Sequence, residues 1–500
     1  MIDLRLAFHN LVWNHGGKLA EIAVAFLFSV SVARMLGVQL NGTYILLITF
    51  IQTGLLVTSY GLETTLHRFV PRFCTEKVAL RGLLRPLFIF RVVLLLILLC
   101  LLFFGLPFLF VYFSIQPFAL SIVLLLCFYA FLNGINNFFG AVLIGQSRTQ
   151  LLSLLRVIVR IGELIGVIVC GMDGLTINEV LTIIVLGAFA STLVHCIVSW
   201  VDIAGERVKG DSRPVFSFAG TMWLNAFIVF VLGKQMDILL LGKFAVNVNE
   251  IALYDIAMML VQIVVMGTTV GMGGVMLATF SVFAQDQPGG FQSFWRFWVK
   301  ITILLIVPLL IILLYGADEI IPLIYTSSYA LSKNLVRVLA CFIIIERLFG
   351  SGMNADALLA IGKQKTLLWI SILSGALNIV IALVLIPYFG ALGAIIATGT
   401  ANCVTSILMA QALRRYEHVV IPFFFWLRIV VITTAACSIP YALNMLYLPF
   451  ILWYQLILTV LLWAAFAKGI GLFSENDIRW LEKMNPAAMR VAYFFRIRLP

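Results

Sequence analysis

Charge is what this sequence has least of. Asp, Glu, Lys and Arg make up 11% of its 500 residues, against 63% hydrophobic, whereas a soluble domain carries about 25% charged residues. With a mean hydropathy of +1.11, the chain lacks the polar surface to face water. Too little of it lies outside apolar segments to build a large extramembrane catalytic domain. Metal and redox motifs are missing too. The 8 cysteines stand singly, with no CxxC and no histidine at ligand spacing, and seven of them fall in apolar runs, where cysteine serves as a small hydrophobe. No GxxxxGK[ST] loop is present, because Gly362-Lys363 is followed by Gln364, so the chain offers no phosphate loop for ATP hydrolysis.

What fills the chain instead is apolar runs long enough to cross a bilayer, for which about 20 residues suffice. Fourteen can be placed, at 17–36, 40–62, 84–113, 118–144, 150–171, 177–201, 216–241, 252–283, 298–316, 334–361, 365–388, 391–413, 421–443 and 447–470. The first is too long for a signal-peptide core and reads as a retained span. The charges supply an independent check, since Lys and Arg accumulate in cytoplasmic loops. Of the 33 cations, 25 fall at the N-terminus, in every second loop with its adjoining span ends, or in the C-terminal tail, and only Lys243 and Lys333 lie in the opposite loops. Arg148 and Arg156 count among the cytoplasmic set. A multi-pass protein with both termini in the cytoplasm is expected. Orientation thus accounts for most of the +11 net charge, and nucleic acid is not an expected partner. The tail from Ser474 mixes Ile478, Trp480 and Phe494 with basic residues, as an interfacial segment does.

The chain also repeats itself. Residues 137–152 (NFFGAVLIGQSRTQLL) and 354–368 (NADALLAIGKQKTLL) align at an offset of 217, which superimposes Asn137 on Asn354, Gly145 on Gly362 and Thr149 on Thr366. The copies lie six spans apart, an even number, so they run the same way across the membrane. That pattern belongs to two bundles related by an axis along the membrane normal. The expected fold is an all-α polytopic membrane protein of 14 transmembrane helices. An N-lobe at 1–214 and a C-lobe at 215–415, six helices each, are related by a pseudo-two-fold and enclose a central cavity in a V. Two further helices occupy 416–473, and the interfacial tail is 474–500.

Three stretches carry a resemblance. The first is Ala33-Arg34-Met35-Leu36-Gly37 with Gly42, Tyr44, Tyr60-Gly61-Leu62 and Arg68. The second runs from Asp237 to Phe244, followed by Tyr254. The third is Gly362-Lys363 through Asn378, Pro387, Phe389-Gly390 and Gly393 to Thr398. Together they resemble the polysaccharide transporter (Wzx-type) family of the multidrug/oligosaccharidyl-lipid/polysaccharide flippase superfamily. The resemblance implies a transporter of the bacterial cytoplasmic (inner) membrane that turns an undecaprenyl-diphosphate-linked oligosaccharide, an O-antigen or exopolysaccharide repeat unit, from the cytoplasmic to the outer face. A polysaccharide polymerase and glycosyltransferases are the partners it implies. Lipid II flippases concentrate arginine in the first two spans, whereas here the first offers Lys18, Glu21 and Arg34 and the second has no cation. The exopolysaccharide or O-antigen branch is therefore favoured over lipid II.

Ionisable groups at membrane depth are costly, so each is a candidate for function. Six cations qualify, Arg34, Arg91, Arg160, Lys234, Arg337 and Arg347, beside six acids, Glu21, Glu163, Asp237, Asp255, Glu346 and Asp356. Arg160 with Glu163, and Lys234 with Asp237, stand three residues apart on one helical face and are read either as structural ion pairs or as parts of a site. Arg34 and Arg337 lie near outer span ends, within reach of the interface by snorkelling. In the functional reading Arg34, Arg160, Lys234 and Arg347 line the cavity and hold the diphosphate, since a guanidinium fork matches phosphate oxygens and stays charged. Glu21, Glu163, Asp237, Glu346 or Asp356 carries a coupling proton or sodium ion, and no other cofactor is expected. Asn137, Asn354 and Asn378 are read as contacts to sugar hydroxyls or as hydrogen bonds between helices.

Two rivals stand beside this reading. A multidrug or metabolite exporter of the same superfamily would lack the last two spans and carry fewer deep arginines. A membrane-embedded enzyme, such as a polysaccharide polymerase or acyltransferase, needs a sizeable outer loop or a deep histidine with a polar partner. Here the longest outer loop is 317–333, and of 5 histidines only His195 lies in a span; a transporter rather than an enzyme is expected.

Overall fold

The computed structural model describes residues 4–73, 77–113, 119–146, 148–199, 213–231, 233–245, 247–269, 276–277, 279–281, 283–284, 290–445 and 452–470. In lipid, a backbone group with no water to bond must be satisfied within its own segment, and the described regular elements are all helices. In chain order they are α1 (Leu4–Val57), α2 (Leu62–Phe73), α3 (Lys77–Tyr112), α4 (Leu120–Gly145), α5 (Thr149–Cys170), α6 (Ile177–Ser199), α7 (Arg213–Val231), α8 (Lys234–Phe244), α9 (Asn249–Thr269), α10 (Gly290–Tyr315), α11 (Ala317–Ile324), α12 (Ser332–Leu348), α13 (Asn354–Ala360), α14 (Gln364–Phe389), α15 (Ala391–Glu417), α16 (Phe423–Met445) and α17 (Leu452–Ile470).

Among the described residues, nine helices are long and apolar enough to cross a membrane, or ten if α7 and α8 form one bent span. The fourteen expected crossings are not reached on that measure, and the reasons are local. Arg156, Arg160 and Glu163 put three charges into every 18-residue stretch of α5. The run 334–361 is divided into α12 and α13 by a turn in which Gly350 and Gly352 take φ 77° and 91°, backbone that only glycine adopts without strain. The first two expected spans merge into α1, interrupted at Gly37 with φ 73° and ψ 175°. The seventh bends by 56° between Val215–Phe230 and Lys234–Phe244. The expected interfacial tail, 474–500, lies outside the described residues.

The chain forms two compact units: Met1–Ile256 with Gly375–Thr398, and Ala257–Ser374 with Gly399–Pro500. In the first, α4 is the most enclosed helix, burying Leu126, Ala130, Phe138, Phe139 and Val142, and Gly134 admits the side chain of Leu95 from α3. Arg91 of α3 is 1% exposed. Its Nη1 donates to Thr58 O at 2.7 Å and its Nε to Gly134 O at 3.2 Å, so it ties the end of α1 to α4. One of these carbonyls, Thr58 O, follows the last turn of α1, where no helical donor remains for it; the other lies within α4.

The turn after α1 is similarly pinned. Trp223 Nε1 donates to Leu56 O at 3.2 Å and Val57 O at 3.0 Å. Gly61 takes φ 65°, and a Cβ there would lie 2.7 Å from Trp223 N and against Ala219 O. Gly61→Ala is therefore expected to destabilise the first unit by roughly 1–3 kcal/mol, read as a lower thermal midpoint of the detergent-solubilised protein. An unchanged midpoint would contradict this packing.

In the second unit α10, α12 and α16 bury Trp295, Ile303, Val336, Ala340 and Ile429. Arg337 does not sit alone at the interface. Its Nη2 bonds Asp318 Oδ2 at 2.5 Å and its Nε donates to Leu314 O at 3.2 Å, with Lys333 on Asp318 Oδ1 at 3.1 Å. Burial alone would raise the Asp318 carboxyl, but the two cations outweigh it and hold it below the usual carboxylate range.

Candidate functional site

Glu21, Arg160 and Glu163, three of the deep charges of the first unit, gather with Arg156 around one cavity of about 280 Å³, bounded by α1, α4, α5 and α6. Two arginines one turn apart on α5, Arg156 and Arg160, face into it, with side chains 40% and 37% exposed. Each has an acid beside it. Arg160 Nη1 bonds Glu163 Oε2 at 2.8 Å, and Arg156 Nη1 approaches Glu21 Oε1 at 3.5 Å. The Arg160 guanidinium also lies over the Phe28 ring, 4.8 Å from its centroid, an arrangement that favours a desolvated cation. Glu163 is buried, and Gly187 on α6 makes room for it, because a Cβ at that position would collide with Glu163 Oε1.

The opposite wall is neutral and polar. Asn136 Nδ2 donates to Ala188 O at 3.1 Å, leaving its Oδ1 to accept from His195 Nδ1 at 3.0 Å. That contact assigns the imidazole proton to Nδ1. His195 is 2% exposed and its Nε2 has no hydrogen-bond partner, so an acceptor nitrogen is left open. Asn133, Asn137 and Ser191 complete this side.

A second cluster, in the same unit, centres on Asp237 of α8, which is 0% exposed. Tyr254 Oη and Thr398 Oγ1 both donate to its Oδ2, and Asn378 lies within 3.4 Å of the Thr398 hydroxyl. Asp237 Oδ1 is buried with no hydrogen-bond partner. The i,i+3 spacing that suggested a Lys234–Asp237 pair is not used. Lys234 Nζ bonds Asp255 Oδ1 of α9 instead, at 2.6 Å, because α9 brings a second acid to the same cation. Among the described residues the Asp237 carboxylate has hydroxyl donors but no bonded cation.

The other sequence candidates are distributed more widely. Arg347, 6% exposed, donates from Nη1 to Ser351 O at 2.7 Å and from Nη2 to Glu346 Oε1 at 3.0 Å. Ser351 Oγ donates to the same Glu346 oxygen at 3.0 Å. These bonds hold the break between α12 and α13. Arg34 is exposed on α1 three residues before Gly37, and Asp356 is half-buried on α13. Of the three asparagines, Asn137 opens into the cavity beside Arg156 and Arg160. Asn354 Oδ1 accepts from Trp295 Nε1 at 3.0 Å while its Nδ2 donates to Phe349 O at 2.7 Å, and Asn378 is buried beside Thr398. Arg156 is the residue that loop counting hid. A helical wheel of α5 would have found it, since 156, 160 and 163 share one face.

The family model of a polysaccharide biosynthesis protein matches residues 31–334. Among solved structures, the lipid II flippase MurJ in an inward closed conformation superimposes with a TM-score of 0.73 at 13% identity, over 95% of this chain and 99% of its own. An inward-facing multidrug resistance MATE family transporter of the MOP superfamily gives a TM-score of 0.66 at 15% identity, over 80% of this chain and 94% of its own. A MOP superfamily transporter from Pyrococcus furiosus gives 0.60 at 13% identity, over 82% and 95%. No curated protein sequence matches the chain.

Proposed function

Because the chain belongs to the polysaccharide biosynthesis protein family and has the fold of MOP superfamily transporters, we propose that it is a flippase for an undecaprenyl-diphosphate-linked oligosaccharide. It turns an O-antigen or exopolysaccharide repeat unit from the cytoplasmic to the outer face of the inner membrane by alternating access. Glycosyltransferases build that unit on the cytoplasmic side, and a polymerase consumes it on the other. The observation that carries the reading is the pair Arg156 and Arg160, open to one cavity within a helix of bilayer length. Two guanidinium groups a turn apart match the spread of charge on a diphosphate, and each retains donors not committed to its acid. The lipid tail stays in the bilayer while the headgroup occupies the cavity.

Asp237 is our choice for the coupling site, carrying a proton or a sodium ion. It has an unpartnered buried oxygen, whereas Glu163 and Glu346 are bonded to arginines. We assign Arg347 to holding the α12–α13 break and leave Arg34 and Lys234 as outlying cations on the headgroup path. A multidrug exporter is less well supported, because both acids of the cavity already face an arginine and leave little uncompensated negative charge for an organic cation. Equilibrium binding separates the two. Undecaprenyl diphosphate is expected to bind the purified protein and tetraphenylphosphonium not to compete with it. Competition by the cation at similar concentration would favour the exporter.

A further inference from the structure

The first unit holds a second and larger cavity, about 590 Å³, between the end of α1, the start of α2, α4 and α7, reaching Gly233 at the α7–α8 bend. Its chemistry differs from that of the arginine cavity. The polar groups along it are Gln52, Ser59, Glu63, Thr64, Asn137 and Gln235, and among the described residues no Lys, Arg or His lines it. A diphosphate would find no cation there and would face Glu63. Amides and hydroxyls, by contrast, offer both donors and acceptors to an uncharged polyol.

We infer that this cavity takes the uncharged sugars of the oligosaccharide while the arginine cavity takes the diphosphate; the inference rests on the flippase reading. Four further observations support the division. Asn137 lines both cavities, so the two adjoin at that side chain, as the sites for a diphosphate and the sugars attached to it must. Glu63 is held from behind by Arg91, whose Nη2 lies 3.6 Å from Glu63 Oε1. Its charge is thus partly answered within the protein, and its remaining acceptor capacity is available to sugar hydroxyls. The remaining wall includes Met222 and Phe230, apolar surface of the kind on which the C–H faces of sugar rings pack. The volume also fits, since the larger cavity falls inside the range of about 300–1,000 Å³ typical of ligand sites.

The test compares two probes on the full-length purified protein: undecaprenyl diphosphate, and the same lipid carrying a neutral disaccharide. The wild type is expected to bind the glycosylated lipid more tightly. The double variant Gln52→Ala/Gln235→Ala is expected to weaken that binding about tenfold, as loss of hydrogen bonds to a buried polar ligand does, and to leave the bare lipid within about twofold. Ala226→Trp, which fills the cavity without removing a hydrogen bond, should act in the same direction and guards against a folding effect of the first variant. Arg160→Ala should weaken both probes. Equal losses for both probes in the cavity variants, or no loss for either, would overturn the assignment. So would tetraphenylphosphonium binding that disappears in Glu63→Gln while the glycosylated lipid is unaffected, which would give the cavity to organic cations. Failure of the wild type to bind either probe would contradict the flippase reading itself, and this inference with it.

Discussion

Arg160→Ala is expected to slow translocation of the lipid-linked oligosaccharide about 100-fold. Arg160 is the better placed of the two cavity arginines, with a 2.8 Å bond to Glu163 and the Phe28 ring beneath it, and it is pre-oriented before any ligand arrives. Losing a hydrogen bond to a charged group costs about 1.5–3 kcal/mol, and a hundredfold corresponds to about 2.8 kcal/mol. The variant also strands Glu163, which is buried, so some of the loss would be structural. Arg160→Ala/Glu163→Gln removes that complication. It should recover thermal stability but not transport, whereas recovery of both would show that the pair only holds helices together. Arg160→Lys should give an intermediate rate, because an ammonium keeps the charge but loses the fork. Arg156→Ala should cost less than Arg160→Ala, given its looser 3.5 Å approach to Glu21.

Asp237→Asn is expected to uncouple transport from the ion gradient. The amide keeps an oxygen for the Tyr254 and Thr398 hydroxyls and nearly the same volume, but it can neither take a proton nor attract a cation. For a single coupled proton, a gradient of 1 pH unit supplies about 1.4 kcal/mol, or about tenfold in accumulation. In vesicles with an imposed proton or sodium gradient the wild type should respond to one of the two, and the variant to neither. Because the substitution replaces an unpaired buried carboxyl with a neutral group, thermal stability should stay the same or rise. A variant that responds to the gradient as the wild type does would remove Asp237 from the coupling path.

Much of the fold was legible because a bilayer permits few solutions. The apolar runs became helices with ends close to those expected, as in α5, α14 and α15. What hydropathy misjudged were interruptions. Gly350 and Gly352 sit inside a run apolar enough to read as one span, yet their positive φ angles divide it, and only the partners of Arg347 and Ser351 show why the turn is stable. The i,i+3 rule succeeded for Arg160 with Glu163 and failed for Lys234 with Asp237. Spacing says which side chains can meet on one helix but not which competitor a neighbouring helix brings, here Asp255 and Tyr254 from α9. The repeat was silent about chemistry. Asn137 and Asn354 are equivalent in sequence, but one opens into two cavities and the other is fully used by Trp295 and Phe349. Arg156 was hidden by a rule that counts loop cations without asking which face of α5 they share.

The most direct test is movement of the substrate itself. Undecaprenyl diphosphate carrying a neutral oligosaccharide, placed in one leaflet of proteoliposomes, can be followed by its accessibility to a membrane-impermeant glycosidase on the other side. The wild-type protein is expected to expose it at least about tenfold faster than protein-free liposomes, and Arg160→Ala to return the rate close to that background. A wild-type rate equal to background, in vesicles that nonetheless take up an organic cation, would contradict the account and leave an exporter in its place.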